Sequence, residues 1–465
     1  MTTHKIKKGL DLPLAGRAEF VLADATEPTE VGLETAEFVG IKPKVLVKEG
    51  DSVQTGQPIF LNKLDRDIVW SSPVTGKVKS VEFGERRYLR RVVIENDAAR
   101  SGGTDSFVDL PVAAGDREGG DREGGDREGG DREGVVKAIK GAGLWPLFRQ
   151  RPLGKMPMGD TVPVAIFVNG MDTAPLAADP AFATQGRKED LQAGVGLLQQ
   201  LTSGPVYLSL RAAGDNQSDL RGLSGVEVHD FSGPHPSGLV GTHISEIQPL
   251  KSGEIAYVLS LVDVARLGQW QRTGKYPAHT VVAASGSDAP DRKYFRVRQN
   301  ATVSTLTGGN ALAGDHRIIN GNVLNGYVVA PTGYLGLCNK TLTIIPEGTD
   351  KRDLFGWAVP QFGKMTNHAS VNFGLKKKEY VVDARLNGGH RPIVNIGSWE
   401  KVLPLDILPT YLVRAIQAND IEEALKLGLL ELTEEDVALC TFVDPCKIDV
   451  GEIIRQGLDM YEKEA

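Results

Sequence analysis

Few residues in this chain combine the type and spacing that chemistry needs. The stretch Gly233-Pro234-His235-Pro236-Ser237-Gly238-Leu239-Val240-Gly241-Thr242-His243 sets two imidazoles eight residues apart. Two prolines fix its entry, and Gly233, Gly238 and Gly241 permit close approach of a ligand or a partner backbone. His235 and His243 are the candidates to hydrogen-bond a quinone-type carbonyl or to ligate a metal. A metal site normally takes three or four ligands, and no carboxylate lies nearby in sequence. A structural loop at a domain junction is the plainer reading, with Ser237 and Thr242 expected to cap a following helix.

A second candidate is KLDRDIVWSSPVTGKV, Lys63 to Val78, preceded by VKEGDSVQTGQPIF. Short strands punctuated by Gly50, Gly56, Gly76 and Gly84 predict a small barrel of the biotinyl or lipoyl carrier type. Such a carrier presents a lysine at its hairpin tip, whereas the tip here reads Leu64-Asp65-Arg66-Asp67. The Arg66 guanidinium is always charged and cannot be acylated, so the barrel is expected to dock rather than to carry.

Other chemistries find less support. No Gly-x-Ser-x-Gly elbow is present, and the eight histidines are scattered. Cys440 and Cys446 sit in CTFVDPCK, and the only other cysteine is Cys338, fewer than the four thiolates of an iron–sulfur cluster. Phe355 and Trp357, in Leu354-Phe355-Gly356-Trp357, are core residues or docking anchors, as is Trp399.

The elements that position these residues follow from periodicity. Strands are predicted at 45–47, 59–61, 68–70 and 92–94. An apolar strand at 164–168, a helical pattern through Leu191, Val195, Leu198 and Leu201, and strands at 206–208 and 226–228 predict a parallel sheet with crossover helices. That makes the segment Rossmann-like. Asn169-Gly170-Met171-Asp172-Thr173, after its first strand, lacks the glycine spacing of a dinucleotide site. Strands at 255–258, 281–284 and 295–297, a helix over 262–272 and a β-rich module over 300–346 follow. The last ~65 residues read as helical, with a capping box at Thr433-Glu434-Glu435-Asp436. The expected divisions are 1–110, 111–134, 135–253, 254–400 and 401–465.

Composition sets the limits. With 465 residues, 41% apolar and 24% charged, the chain has the balance of a multidomain α+β protein. Four Asp-Arg-Glu copies between Asp116 and Gly134 carry −4 of the net charge of −7. They hold no apolar side chain and predict a disordered loop before a helix over 135–148. The remainder is near neutral, which excludes the basic field of a nucleic-acid binder. Three cysteines point to a reducing compartment, and no run reaches the ~18 apolar residues of a membrane span.

The motifs IKKGLDLPLAG (6–16), SSPVTGKV (71–78), GERRYLRRVVIE (84–95), GLWPLFRQRP (143–152), DFSGPHPSGLVGTH (230–243), LFGWAVP (354–360), PLDILPT (404–410) and ALCTFVDPCK (438–447) run nearly end to end. In this order they resemble the A subunits of the sodium-translocating NADH:quinone oxidoreductases, six-subunit bacterial respiratory complexes. The resemblance implies a biotinyl/lipoyl-like barrel, a Rossmann-like domain, a β-grasp module near 300–346 and a helical C-terminus. It also implies a peripheral subunit on the cytoplasmic face of the inner membrane, without its own redox cofactor. FMN, FAD, iron–sulfur and NADH chemistry would reside on five partner subunits, especially a flavin-bearing membrane subunit, with ubiquinone as the candidate ligand at the quinone-reducing end. The fourfold Asp-Arg-Glu repeat departs from the single copy usual in that family, and so does Pro445 between Asp444 and Cys446. A stand-alone small-ligand binder is the alternative.

Overall fold

Strand β1 (Thr2–Lys5) and strand β2 (Glu19–Asp24) leave the N-terminus for two different sheets. The computed structural model describes residues 2–113, 132–158, 161–212, 217–308, 314–349, 365 and 378–464. Phe355, Trp357 and residues 114–131, which include the acidic repeat up to Asp131, lie outside the described residues.

The barrel region is built from β3 (Glu30–Glu34), β4 (Pro43–Val45), β5 (Ser52–Val53), β6 (Pro58–Asn62), β7 (Asp65–Ser71), β8 (Gly76–Phe83) and β9 (Leu89–Asn96). They form two small antiparallel sheets, ordered β3-β9-β8-β5 and β4-β6-β7. Alternate residues of β8 and β9 point inward, so Val78, Val92 and Ile94 join Ile59, Phe60 and Ile68 in the core. The expected strand at 45–47 is observed two residues earlier, at Pro43–Val45, and Leu46 N still donates to Ile59 O just past its end. The turn between β6 and β7, which runs through Leu64 into Asp65, is not free. Lys140 of the Arg132–Gly141 helix reaches Asp65 at 2.7 Å. Trp70, stacked on Phe60 at 4.8 Å, shares one apolar cluster with Trp145 and Phe148 from beyond that helix.

That helix begins at Arg132, so the last Arg-Glu-Gly of the repeat is helical and not part of a loop. It ends at Gly141 rather than at 148: Gly143 has a φ of +73°, and a short 3-10 turn over Trp145–Leu147 follows.

The second sheet comprises β10 (Arg149–Arg151), β11 (Ala165–Asn169), β12 (Val206–Arg211), β13 (Glu227–Ser232) and β14 (Ala256–Ser260), in the order β1-β13-β12-β11-β14-β10. All neighbours are parallel except β10 against β14. Parallel strands need crossovers; the Lys188–Leu201 helix supplies the one from β11 to β12 and the Val240–Ile247 helix the one from β13 to β14, while the Leu261–Thr273 helix, which follows β14, packs closely on Lys188–Leu201. Gly194 and Gly268 allow that approach, since a Cβ on either would fall 2.2 Å or less from a backbone carbonyl of the facing helix. β14 and its helix lie beyond the expected boundary at residue 253; pairing with β11 assigns them to this sheet.

The third sheet joins β15 (His279–Ser285), β16 (Lys293–Arg298), β17 (His316–Asn320), β18 (Tyr327–Val328) and β19 (Thr341–Pro346) with β2, in the order β18-β17-β19-β15-β16-β2. The 300–346 module therefore also draws strands from 19–24 and 279–298. Its opening stretch ATVSTL forms a 3-10 turn over Val303–Thr305, not a strand. The C-terminus is helical, ending in Val450–Glu464. The Thr433–Asp436 capping box is present around a 3-10 turn. Among the described residues no helix is long and apolar enough to cross a membrane.

Candidate functional site

The Gly233–His243 loop connects β13 to the Val240–Ile247 helix and touches three other parts of the chain. Ile6 N donates to Ser232 O, Leu10 N to His235 O, and His235 N to Asp11 Oδ1, all within 2.9 Å. Gly233, at a φ of +134°, lies so close to the N-terminal segment that a Cβ would sit 2.3 Å from Ile6 O. Gly238 N donates to Thr173 Oγ1 at 2.9 Å, and Gly238 O accepts from Asn169 Nδ2 at 3.0 Å. Gly241 faces the C-terminal helices, where a Cβ would meet Asp436 Oδ1 at 2.1 Å. The loop is thus the junction of the N-terminal segment, the second sheet and the helical C-terminus.

Both imidazoles are buried inside this junction. His235 Nδ1 lies 3.1 Å from Thr173 Oγ1, and His243 Nε2 lies 3.0 Å from Ser237 O. Burial pushes His235 down to about 4 and His243 down to about 3, so both are neutral near pH 7. They can exchange hydrogen bonds but cannot present an imidazolium. Phe231 stands against the His243 ring with centroids 4.2 Å apart. Ser237 and Thr242 do not cap the helix: their hydroxyls donate to Gly233 O and Pro236 O at 2.9 and 3.0 Å. The loop folds back on itself, and those buried carbonyls need donors more than the helix end does.

Next to the loop lies a cavity of about 490 Å³. It opens beyond the carboxyl ends of β11 and β14, the position at which parallel α/β sheets take ligands. Leu239 and Val240 reach its wall, and His235 lies behind that wall, packed near Asn322, Asn325 and Glu435 with no room for a ligand between them. Most of its charges are already paired. Arg151 is clamped by Asp436 at 2.6 Å and Glu435 at 2.7 Å, which tie β10 to the capping-box turn. Lys340 binds Asp263 at 2.9 Å. Arg149 Nη2 donates to Cys338 Sγ at 3.1 Å, while burial pushes that thiol up to about 11. Asp172 differs: burial pushes its carboxyl up to about 6, despite a bond from Ala174 N.

The sequence singled out the loop but not the cavity. Arg149, Arg151, Asp172, Cys338 and Lys340 come from distant segments, and no local pattern joins them. The one available signal was the end of the first parallel strand, where Asn169 and Asp172 stand. Phe355 and Trp357 fall outside the described residues, whereas Trp399 is buried in the C-terminal core. Cys440 and Cys446 are both buried. Among the described residues no three His, Cys, Asp or Glu side chains gather as a metal site.

Comparison with known proteins fits this architecture. Residues 4–97 match the family described as the NqrA N-terminal barrel-sandwich hybrid domain, residues 130–276 the NqrA second alpha/beta domain, and residues 281–330 the NQRA C-terminal domain. The A subunit of the Na(+)-translocating NADH-quinone reductase of Neisseria meningitidis is 38% identical over 462 residues, covering 99% of each chain. The corresponding proteins of Actinobacillus succinogenes and Pasteurella multocida are 40% and 36% identical over 99% of each chain. A solved structure, an NAD+-reducing [NiFe]-hydrogenase in the air-oxidized state, aligns over 46% of this chain and 47% of its own, at 14% identity and a TM-score of 0.33. Identity of this level along the whole length, together with three matched domains in order, places the chain in the NqrA family, the A subunits of the Na(+)-translocating NADH-quinone reductases.

Proposed function

We propose that this chain serves its complex as a peripheral subunit without a redox cofactor of its own, at the quinone-reducing end. In this reading it sits on the cytoplasmic face of the membrane, while FMN, FAD, iron–sulfur and NADH chemistry belongs to five partner subunits, one of them a flavin-bearing membrane protein. The observation that carries the proposal is the near-complete alignment with NqrA relatives. The residues agree with it: the turn after β11 lacks dinucleotide glycine spacing, and the chain has three cysteines, too few for a four-thiolate cluster. The barrel is read as biotinyl/lipoyl-like, the second sheet as Rossmann-like and the third as β-grasp. The domain limits 1–110, 135–253, 254–400 and 401–465 are kept as approximate, with β14 grouped with the second sheet.

The loop bearing Gly233, His235, Gly238, Gly241 and His243 is the part of the chain we assign to quinone or to a partner loop. Its neutral imidazoles suit a carbonyl partner, and Leu239 and Val240 of the loop line the cavity. Phe355 and Trp357 remain docking candidates. Replacing His235 with Ala in the assembled complex is expected to raise the quinone KM or alter inhibitor sensitivity, with NADH oxidation by artificial acceptors unchanged. Unaltered quinone kinetics would remove His235 from the site. A second reading, small-ligand binding, is favoured by the cavity, whose volume falls within the range of ligand pockets. Isolation of the full chain with a bound small molecule would support it.

A further inference from the structure

The β8–β9 hairpin carries at its tip a feature that neither the loop nor the cavity uses. Residues Phe83, Gly84, Glu85, Arg86, Arg87 and Tyr88 are all exposed, with Phe83 at 56% and Tyr88 at 43%. Gly84 N donates to Tyr88 O at 2.8 Å and Tyr88 N to Glu85 O at 3.1 Å, closing a tight turn. Its two central residues, Arg86 and Arg87, have φ of +52° and +58°. Two successive left-handed residues make the hairpin turn that normally takes Asn-Gly, because a Cβ strains this backbone. Here the chain sets two arginines in it. Among the described residues neither guanidinium has a carboxylate at ion-pairing distance, whereas Arg91, four residues on, meets both Glu34 and Glu82.

We propose that this tip is a docking knob that inserts Arg86 and Arg87 into an acidic patch on another protein of the complex, with Phe83 and Tyr88 packing at its rim. Unpaired guanidiniums call for carboxylates, and Arg with Tyr is the pairing enriched where interfaces concentrate their energy. A backbone held in a strained, pre-set turn favours a shaped protein surface, since pre-organisation lowers the cost of fitting one. A fluid layer of lipid headgroups gains little from such rigidity. Leu89, 2% exposed, anchors the returning strand in the barrel core, so the tip projects from a fixed base. The inference rests on membership in a multisubunit family and is independent of any role in quinone binding.

Two full-length variants test it in complexes purified through one of the other subunits. R86E/R87E reverses the charge, and R86N/R87G removes it while giving the turn the residues its geometry prefers. Thermal melting of the purified chain is the fold control: R86N/R87G should melt no lower than the original. Both variants should be lost from the complex in a salt wash that retains the original chain, with binding weakened at least about tenfold. A photo-crosslinking residue replacing Tyr88 should yield an adduct with a neighbouring protein of the complex. Retention of both variants at the original stoichiometry would overturn the knob. A crosslink to lipid, or binding of the chain to phosphatidylglycerol vesicles that depends on Arg86 and Arg87, would assign the tip to the bilayer instead and likewise overturn it.

Discussion

Lys140 Nζ and Asp65 Oδ2 are 2.7 Å apart, and only 6% and 14% of their side chains are exposed. Asp65 stands at the tip of the β6–β7 hairpin. The lysine comes from the Arg132–Gly141 helix and is seated 5.4 Å over the Trp145 ring. The tip is thereby an internal fastening between barrel and second sheet.

Removing one member of this pair strands the other charge in a largely dry site. Lys140→Met is expected to destabilise the barrel by about 3 kcal/mol. Adding Asp65→Asn should restore much of the loss, because the uncompensated carboxylate disappears. Chemical denaturation followed by Trp fluorescence measures both, and equal melting of the single and double variants would contradict the pairing.

The buried histidines make the junction acid-labile. His235 and His243 have folded pKa values of about 4 and about 3, below the unfolded value of about 6.5. The unfolded chain therefore binds more protons than the folded one below pH 6.5. The stability these neutral rings allow is full above that pH and is lost as pH falls toward 4 and 3. At pH 5 each contributes a loss of about 2 kcal/mol. His243→Gln keeps a donor for Ser237 O and should flatten the stability profile between pH 6.5 and 4, read from melting temperatures across that window.

Asp172 has the opposite linkage. Its folded pKa of about 6 exceeds the unfolded value of about 3.9, so the folded state binds the extra proton between these values. Stability falls as pH rises from about 4 through 6 and stays lower above it. Asp172→Asn should therefore stabilise the chain at pH 7.5 by about 1–2 kcal/mol, allowing for partial solvation from the cavity, and by nearly nothing at pH 4. Denaturation midpoints at the two pH values decide it.

Gly241 brings the loop helix close against the Glu434–Val437 turn of the C-terminal region. Gly241→Ala would place a methyl 2.1 Å from Asp436 Oδ1. That carboxylate also closes the Thr433 capping box and binds Arg151, so displacing it disturbs three contacts at once. A loss of about 2–3 kcal/mol is expected, with faster proteolytic release of the C-terminal helices.

Much of the architecture was legible because it depends on local patterns. Short apolar runs at 92–94 and 206–208 marked β9 and β12, the continuous run at 164–168 marked β11, and Thr-Glu-Glu-Asp marked the capping box. Glycine-bearing motifs in family order carried the kinship. Other features had no local signal. β1 pairs with β13 and β2 with β16 more than 200 residues away, and four- and six-residue strands say nothing of such partners. Ser237 and Thr242 look like helix caps until the carbonyls they must satisfy are placed.

Residue identity and short-range spacing were enough for most element types and for the kinship, but not for the 3-10 turns at Val303–Thr305 and Trp145–Leu147. Only the tertiary structure decided that the Gly233–His243 loop is a three-way junction with neutral histidines. It alone assembled Arg151, Asp172 and Lys340 around one cavity, and it gave Asp65 a lysine from the Arg132–Gly141 helix. Burial, desolvation and ion pairing depend on which remote segments meet, and that is a property of the packed chain.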